Sequence, residues 1–350
     1  MKSLAKILIL LISVITIFSC QKDEPEPEVP TETEPDLYLA GIGRADDGTQ
    51  IAKYWKNGET TTLSDISINN YALSIFVSGD DVYTAGYERE GYPSAKYWKN
   101  GEAITLSGSL NVTHAESIYI NGNDVYVAGY EQQHSDFIVE KSIATYWKNG
   151  VSVNLTNGNN MAYATSIVVS GNDVYVAGRE GNNGNDVNTV AKYWKNGQAV
   201  SLTDGQNPAY ATSIVVKGND VYVAGYEHSW EINKTIAKYW KNGTAVNLTD
   251  GSFNASANSI TINGNDVYVA GIEENSSGKS VGKYWKNGTA VNLSDGSFNV
   301  SITSISVNEE DIYVGGYEYE ESLPKGRYWK NGSVTKIPEF IVTSLFVKPN

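Results

Sequence analysis

The chain has 350 residues, a formal charge of −14, 41% hydrophobic residues and one cysteine. The acid excess argues against a nucleic-acid partner and against direct adhesion to anionic lipid. A single cysteine excludes a disulfide framework. The three histidines, His114, His134 and His228, fall on separate segments without metal-ligand spacing, so neither a metal nor any other cofactor is expected.

In chain order, Lys2 and Lys6 make a basic start, and residues 7–18 form an apolar run too short to span a bilayer. The run ends in Ile17-Phe18-Ser19-Cys20. This resembles the lipobox of bacterial lipoproteins, in which cleavage before the cysteine precedes lipidation of the new N-terminus. The resemblance implies a lipid anchor at Cys20 and a membrane address. A secretory signal with an incidental cysteine is the alternative. Gln21-Lys22-Asp23-Glu24 resembles the export signal that sends Bacteroidetes lipoproteins to the outer face of the outer membrane; read plainly, it is a charged linker. Pro25, Pro27, Pro30 and Pro35 interleave with Glu26, Glu28, Glu32 and Glu34. Such a segment is extended and self-repelling, with a reach of up to ~50 Å at ~3.1 Å per residue. The expected organisation is therefore a signal peptide over 1–19, an acidic Pro/Glu tether over 20–35 and one folded domain over 36–350.

Within 36–350 the stretch Tyr-Trp-Lys-Asn-Gly occurs seven times, with tryptophans at 55, 98, 147, 194, 240, 285 and 329. A period of this size marks a repeat architecture. The fourth unit shows four strand signals. Ser166-Ile167-Val168-Val169 is strand A, and Asp173-Val174-Tyr175-Val176-Ala177-Gly178 is strand B. Val190-Ala191-Lys192-Tyr193-Trp194 is strand C, and Ala199-Val200-Ser201-Leu202 is strand D. Gly, Asn and Asp turn chemistry separates them, and Asn-Gly supplies the positive φ angles of a tight hairpin turn. Strand B is apolar on both sides, as a doubly buried strand should be. Small four-stranded sheets packed face to face around an axis bury both faces, which defines a β-propeller.

The termini complete the pattern. The first unit starts at strand B, Asp36-Leu37-Tyr38, and the chain finishes with a lone strand A, Thr343-Ser344-Leu345-Phe346-Val347. Joined, they make a seventh blade. The expected fold is thus all-β: a seven-bladed propeller of four-stranded antiparallel blades, closed by the C-terminal strand A joining the N-terminal strands B to D. The units resemble Kelch-type repeats, in which a Val-Tyr-Val-x-Gly-Gly strand precedes one carrying a tyrosine and a second aromatic. Ile312-Tyr313-Val314-Gly315-Gly316 is the nearest match; other units read Ala-Gly, and the tryptophan directly follows the tyrosine. The resemblance covers 36–350 and implies a fold and a tendency toward binding.

Residues shared by all units are explained by the fold, so function is sought where units differ. The strand B to strand C loops are longest in units three, four and five. These units carry Phe137 and His134, Arg179, and Trp230 with His228. Three residues before each strand-A serine lie Tyr71, His114, Tyr163, Tyr210, Ser256, Ser301 and Ile341, of which the first four are aromatic. Tyr71, His114, Tyr163, Tyr210, Arg179, Phe137 and Trp230 are therefore the candidate ligand-binding residues, on one sector of one rim, suited to sugar rings or to a protein partner. The competing reading has Tyr163 and Tyr210 plugging the channel and Trp230 covering its own loop. Glu88, Glu131, Glu180, Glu227, Glu273 and Glu318 form a ring of acids, expected to pair with the base opening strand C, although Glu131 meets Thr145 instead. No hydrolase or phosphate-loop motif occurs; a carboxylate pair of Glu116 with Asp136 is the one catalytic arrangement open to the sequence. The expectation is a monomeric, non-enzymatic, surface-tethered protein that binds a glycan or protein. The alternatives are a structural subunit of an outer-membrane assembly and a propeller hydrolase or lyase.

Overall fold

A computed structural model of the chain describes residues 34–350, apart from 65–66, 107, 111, 136–137, 182–185, 322, 338–339 and 350. The signal-peptide, Cys20 and tether expectations lie outside the described residues. Residues 35–350 form one compact unit.

Seven four-stranded antiparallel sheets make up this unit, and each follows the chain order A-B-C-D except the first. In blade 1 the C-terminal strand Phe340–Lys348 pairs with Asp36–Arg44, next to Gln50–Lys56 and Glu59–Thr62. The register runs from Asp36 opposite Lys348 to Gly43 opposite Phe340, so the ring closes as the termini predict. Blade 4 is representative: strand A Met161–Ser170, strand B Asp173–Gly181, strand C Val190–Lys195 and strand D Gln198–Ser201. Each strand A touches strand A of both neighbouring blades, and these strands form the wall of the channel.

The core lies between blades. Between blades 4 and 5, Tyr175, Ala177 and Leu202 meet Ala211, Ile214, Val223 and Trp240. Six of the seven repeat tryptophans are essentially fully buried in such interfaces; the seventh, Trp55, is half-buried against Tyr328. The inner edge is stitched as well. The hydroxyls of Ser74, Ser117, Ser166, Ser213, Ser259 and Ser344 each accept the backbone N–H of an isoleucine in the next blade, at 3.2–3.4 Å. That is why strand A keeps a serine inside an apolar run.

Lys-Asn-Gly and Asp-x-Tyr act as one device. Asn196 and Gly197 take φ of 50° and 82°, the pair a tight hairpin turn requires. Asn196 Oδ1 accepts the N–H of Val174 at 2.9 Å, and its Nδ2 donates to Asp173 at 2.7 Å. Lys195 bridges to the same carboxylate at 2.7 Å and lies over the Tyr175 ring. The asparagine contacts recur in all seven blades. They clamp the A–B and C–D turns onto one rim, which leaves the opposite rim to the B–C loops and D–A crossings.

The glycine ending strand B has a reason the sequence did not disclose. Strand A carries a β-bulge in each blade, for example between Ala211 and Ser213. The bulge pushes a carbonyl toward strand B, and a Cβ on Gly225 would sit 1.9 Å from Tyr210 O. The same clash awaits every equivalent glycine, at 1.8–2.1 Å.

Candidate functional site

The strand A–strand B register sets the residue three before each serine opposite the residue after each strand-B glycine. In blades 2 to 5 the pairs are Tyr71 with Tyr87, His114 with Tyr130, Tyr163 with Arg179, and Tyr210 with Tyr226. They form one continuous arc. Tyr71 stacks on Tyr87 at 4.6 Å, Tyr87 meets His114 edge-on at 4.5 Å, and His114 stacks on Tyr130 at 4.7 Å. Tyr130 meets Tyr163 at 4.9 Å, and Arg179 lies over both Tyr163 and Tyr210, at 4.5 and 4.9 Å. Tyr226 closes the series on Tyr210 at 4.8 Å. The Arg179 charge is held against two ring quadrupoles. Burial, with the neighbouring His134 and Arg89, lowers His114 to about 4, so its imidazole is neutral at physiological pH. Burial likewise raises Tyr87 to about 12.

The arc stops where the small and aliphatic residues begin. In blades 6, 7 and 1 the same positions hold Ser256 with Ile272, Ser301 with Tyr317, and Ile341 with Ile42. There the channel mouth opens into a cavity of about 490 Å³, whose walls include Ile42, Ile302, Tyr317, Tyr319, Pro324 and Ile341. Its inner side is built from the bulged residues of strand A. Thr165 donates to Ala211 O at 2.8 Å, Thr212 to Ala257 O at 2.8 Å, and Asn258 to Ile302 O at 2.6 Å. Thr303 donates to Val342 O at 3.2 Å and Thr343 to Ala72 O at 2.7 Å. Five blades thus hand a hydrogen bond to the next. Blades 2 and 3 break this belt with Leu73 and Glu116, which also line the cavity. Desolvation raises the Glu116 carboxyl to about 7, against the opposing pull of Arg179.

The candidate residues therefore separate. Tyr71, His114, Tyr163, Arg179 and Tyr210 share the arc, joined by Tyr87, Tyr130 and Tyr226, which sequence reasoning missed. The signal was there, since a tyrosine follows the strand-B glycine in blades 2, 3 and 5, on either side of Arg179 in blade 4. Trp230 sits apart, 52% exposed, edge-on to His228 at 4.5 Å. His134 accompanies Gln132 at 3.1 Å and Tyr92 at 5.9 Å. Phe137, and Asp136 as the partner considered for Glu116, lie outside the described residues.

The acid ring is mostly a set of ion pairs. Lys192 meets Glu180 and Lys283 meets Glu273, both at 2.5 Å. Lys96 pairs with Glu88, Lys238 with Glu227, and Arg327 with Glu318 and Glu320. Blade 3 is the exception. Glu131 is 0% exposed, and its Oε2 accepts from Ser109 N and Oγ at 2.6 and 2.7 Å while Oε1 has no partner. A second groove of about 510 Å³ on blade 6 gathers Asp250, Glu273, Glu274 and Asp295. Each acid there already has a local partner: Ser252, Lys283, Asn254 and Ser297 respectively. Among the described residues no group of three or more His, Cys, Asp or Glu could hold a metal ion.

No protein-family model matches the chain, and no curated protein does. Among solved structures, the acylaminoacyl peptidase of Pyrococcus horikoshii matches over 87% of this chain and 50% of its own, with TM-score 0.54 and 12% identity. A puromycin-hydrolyzing peptidase of Mycobacterium tuberculosis matches over 87% and 53%, with TM-score 0.58 and 11% identity. The chain thus spans about half the length of these two. The β-propeller domain of the Trilobed protease from Pyrococcus furiosus matches over 87% and 92%, with TM-score 0.54 and 11% identity. That domain has an open velcro topology, whereas here Phe340–Lys348 closes blade 1. At such identities the likeness shows the propeller fold alone. It also corrects the expectation that the chain is no enzyme. That expectation rested on missing hydrolase motifs, whereas the similar rings are propellers of peptidases, at 11–12% identity.

Proposed function

We propose that the chain is a surface-tethered binding ring that admits a peptide segment of a protein partner at the channel mouth. The asymmetry of that mouth carries the reading: a packed arc over blades 2 to 5 faces an open cavity over blades 6, 7 and 1. The arc's ring faces are largely covered by one another, so it offers little flat surface for a sugar to stack on. The cavity instead mixes aliphatic walls with hydrogen-bonding groups and one carboxylate, as a site for a peptide side chain and its backbone requires. The likeness to propellers of peptidases supports a peptide ligand. Lipidation at Cys20, the 20–35 spacer, display at the outer membrane and a Kelch-like kinship of the repeats belong to the same proposal, supported by the sequence patterns given above.

A glycan is the second reading, favoured by the exposed Trp230 ring on the blade 5 loop. The two are separated by offering the full chain a random heptapeptide pool and a glycan array. Peptide binding that survives Trp230→Ala but not Ser301→Trp supports the proposal. Glycan binding abolished by Trp230→Ala moves the weight to the second reading, and a folded ring that retains neither contradicts both.

A further inference from the structure

The cavity of about 490 Å³ has an uneven hydrogen-bonding character. Its polar walls come from the bulge belt, whose Thr212, Thr303 and Thr343 have committed their one hydroxyl hydrogen, and Asn258 one of its two amide hydrogens, to carbonyls of the next blade. What remains for a ligand is acceptor-rich: three hydroxyl oxygens with free lone pairs and the Asn258 carbonyl oxygen, against one amide hydrogen. Tyr317 and Tyr319 pack edge-on at 5.6 Å between ring centroids. Among the described residues no lysine, arginine or histidine lines the cavity, and the one formal charge in its wall is Glu116.

Glu116 occupies a position where five other blades place a donor to the neighbouring carbonyl. An ionised carboxylate can only accept, so it does not substitute for them in the belt. Arg179 attracts it from blade 4, but that guanidinium is sandwiched between Tyr163 and Tyr210. The other titratable groups that act on it are Tyr87 in blade 2 and Tyr130 in blade 3, both neutral at physiological pH. The carboxylate therefore sits in a desolvated, acceptor-rich cavity without a tight cationic partner.

We infer that this cavity takes a ligand ending in a primary ammonium group, with Glu116 as its counter-charge and the belt oxygens as further acceptors. An ammonium has three donors and no acceptor, the complement of these walls. The inference rests on the channel-mouth reading and adds the chemistry that reading lacks. The ammonium has two sources in a peptide, its N-terminus and a lysine side chain. Either can reach the carboxylate past Ile42, Ile302 and Ile341, which suit the aliphatic part.

The test offers the full chain three pentapeptide amides built on alanine with one variable central residue, read by titration calorimetry at pH 7.5. The first is N-acetylated with norleucine and has no ammonium. The second carries norleucine and a free N-terminus. The third is N-acetylated with lysine. At least one ammonium peptide should bind tenfold or more tightly than the first, and Glu116→Gln should erase that margin while leaving the residual affinity in place. Whichever of the second and third binds better identifies the source. Equal affinities for all three, or a margin unchanged in Glu116→Gln, overturn the ammonium inference and leave the peptide-mouth reading standing. No binding of any of the three to a folded ring overturns both.

Discussion

Glu131 provides an experiment already controlled by the other blades. In blades 2, 4, 5, 6 and 7 the equivalent glutamate meets a lysine or arginine opening strand C, but in blade 3 that position is Thr145, itself fully buried. Thr145→Lys should supply the missing ammonium. The position is equivalent in register, because Thr145 lies opposite Asn154 just as Lys238 lies opposite Asn247 and Lys283 opposite Asn292. Leaving a buried polar atom unsatisfied costs about 1–3 kcal/mol, and an unpaired buried charge costs more. Against the gain stand ~2 kcal/mol of lysine rotamer entropy and two long hydroxyl contacts of Thr145, at 3.3 and 3.4 Å. The net expectation is a stabilisation of about 1 kcal/mol, or a Tm higher by roughly 2 °C for a domain of this size. Urea unfolding of Thr145→Lys, Glu131→Gln and the double variant gives the coupling between the two sites, expected near 2 kcal/mol. A coupling of zero, or a Thr145→Lys that is less stable than the parent only when Glu131 is present, would refute the reasoning.

Three further outcomes are expected. Removing residues 340–350 takes away the strand that closes blade 1 and the buried Phe340, Val342, Leu345 and Val347; at ~2 kcal/mol per buried side chain this is comparable to the whole stability of a domain, and calorimetry should show loss of the cooperative transition. Gly225→Ala drives a Cβ into Tyr210 O and should destabilise by more than about 2 kcal/mol, measured by denaturant midpoint, whereas an alanine at Gly218 meets no atoms and costs only its positive φ. The third concerns pH. Glu116 is raised to about 7, so the folded ring binds its proton more tightly than the unfolded chain, and stability from this group grows as pH falls from 7 toward 4.5. His114 is lowered to about 4, so the unfolded chain takes the proton first and stability from this group is lost as pH falls from 6.5 toward 4. The slopes oppose each other between 4.5 and 6.5. Thermal melts across that window should be nearly flat for these two groups in the parent, fall with acid in Glu116→Gln, and rise with acid in His114→Gln. A Glu116→Gln profile parallel to the parent would contradict the opposing slopes.

The repeat read directly as structure because its side chains act locally. Asn196 and Gly197 set a turn whatever surrounds them, and Asp173 lies one turn away on the same rim. The closing strand was legible for a similar reason: a lone strand A at one end and a unit lacking it at the other leave one arrangement that buries both. The glycine ending strand B recurs in every unit, but its cause is a carbonyl displaced by a bulge. A bulge follows from cross-strand register and leaves no residue type of its own. At the mouth, the sequence shows large side chains gathering at Tyr71, His114, Tyr163 and Tyr210. The aromatics stop at Ser256, Ser301 and Ile341, and the cavity there is walled by Ile341 and by Tyr317, the cross-strand partner of Ser301. Those small residues were visible in the same column. Reading them as space required knowing that aromatic neighbours in a ring stack on one another. Glu116 stood out as the one acid at its position, yet its surroundings depend on blades 2, 4, 6 and 7 and could be assembled only in three dimensions.

The most direct test of the peptide-admitting mouth is to block it without touching the arc. With Cys20 replaced by serine, a single cysteine placed by Ser301→Cys and capped with a bulky maleimide fills the open sector, and the same label at Ser276→Cys in the blade 6 groove serves as the control. Retention of a random heptapeptide pool should be lost when position 301 is capped and kept when position 276 is capped. Retention undiminished by the cap at 301 would contradict the account.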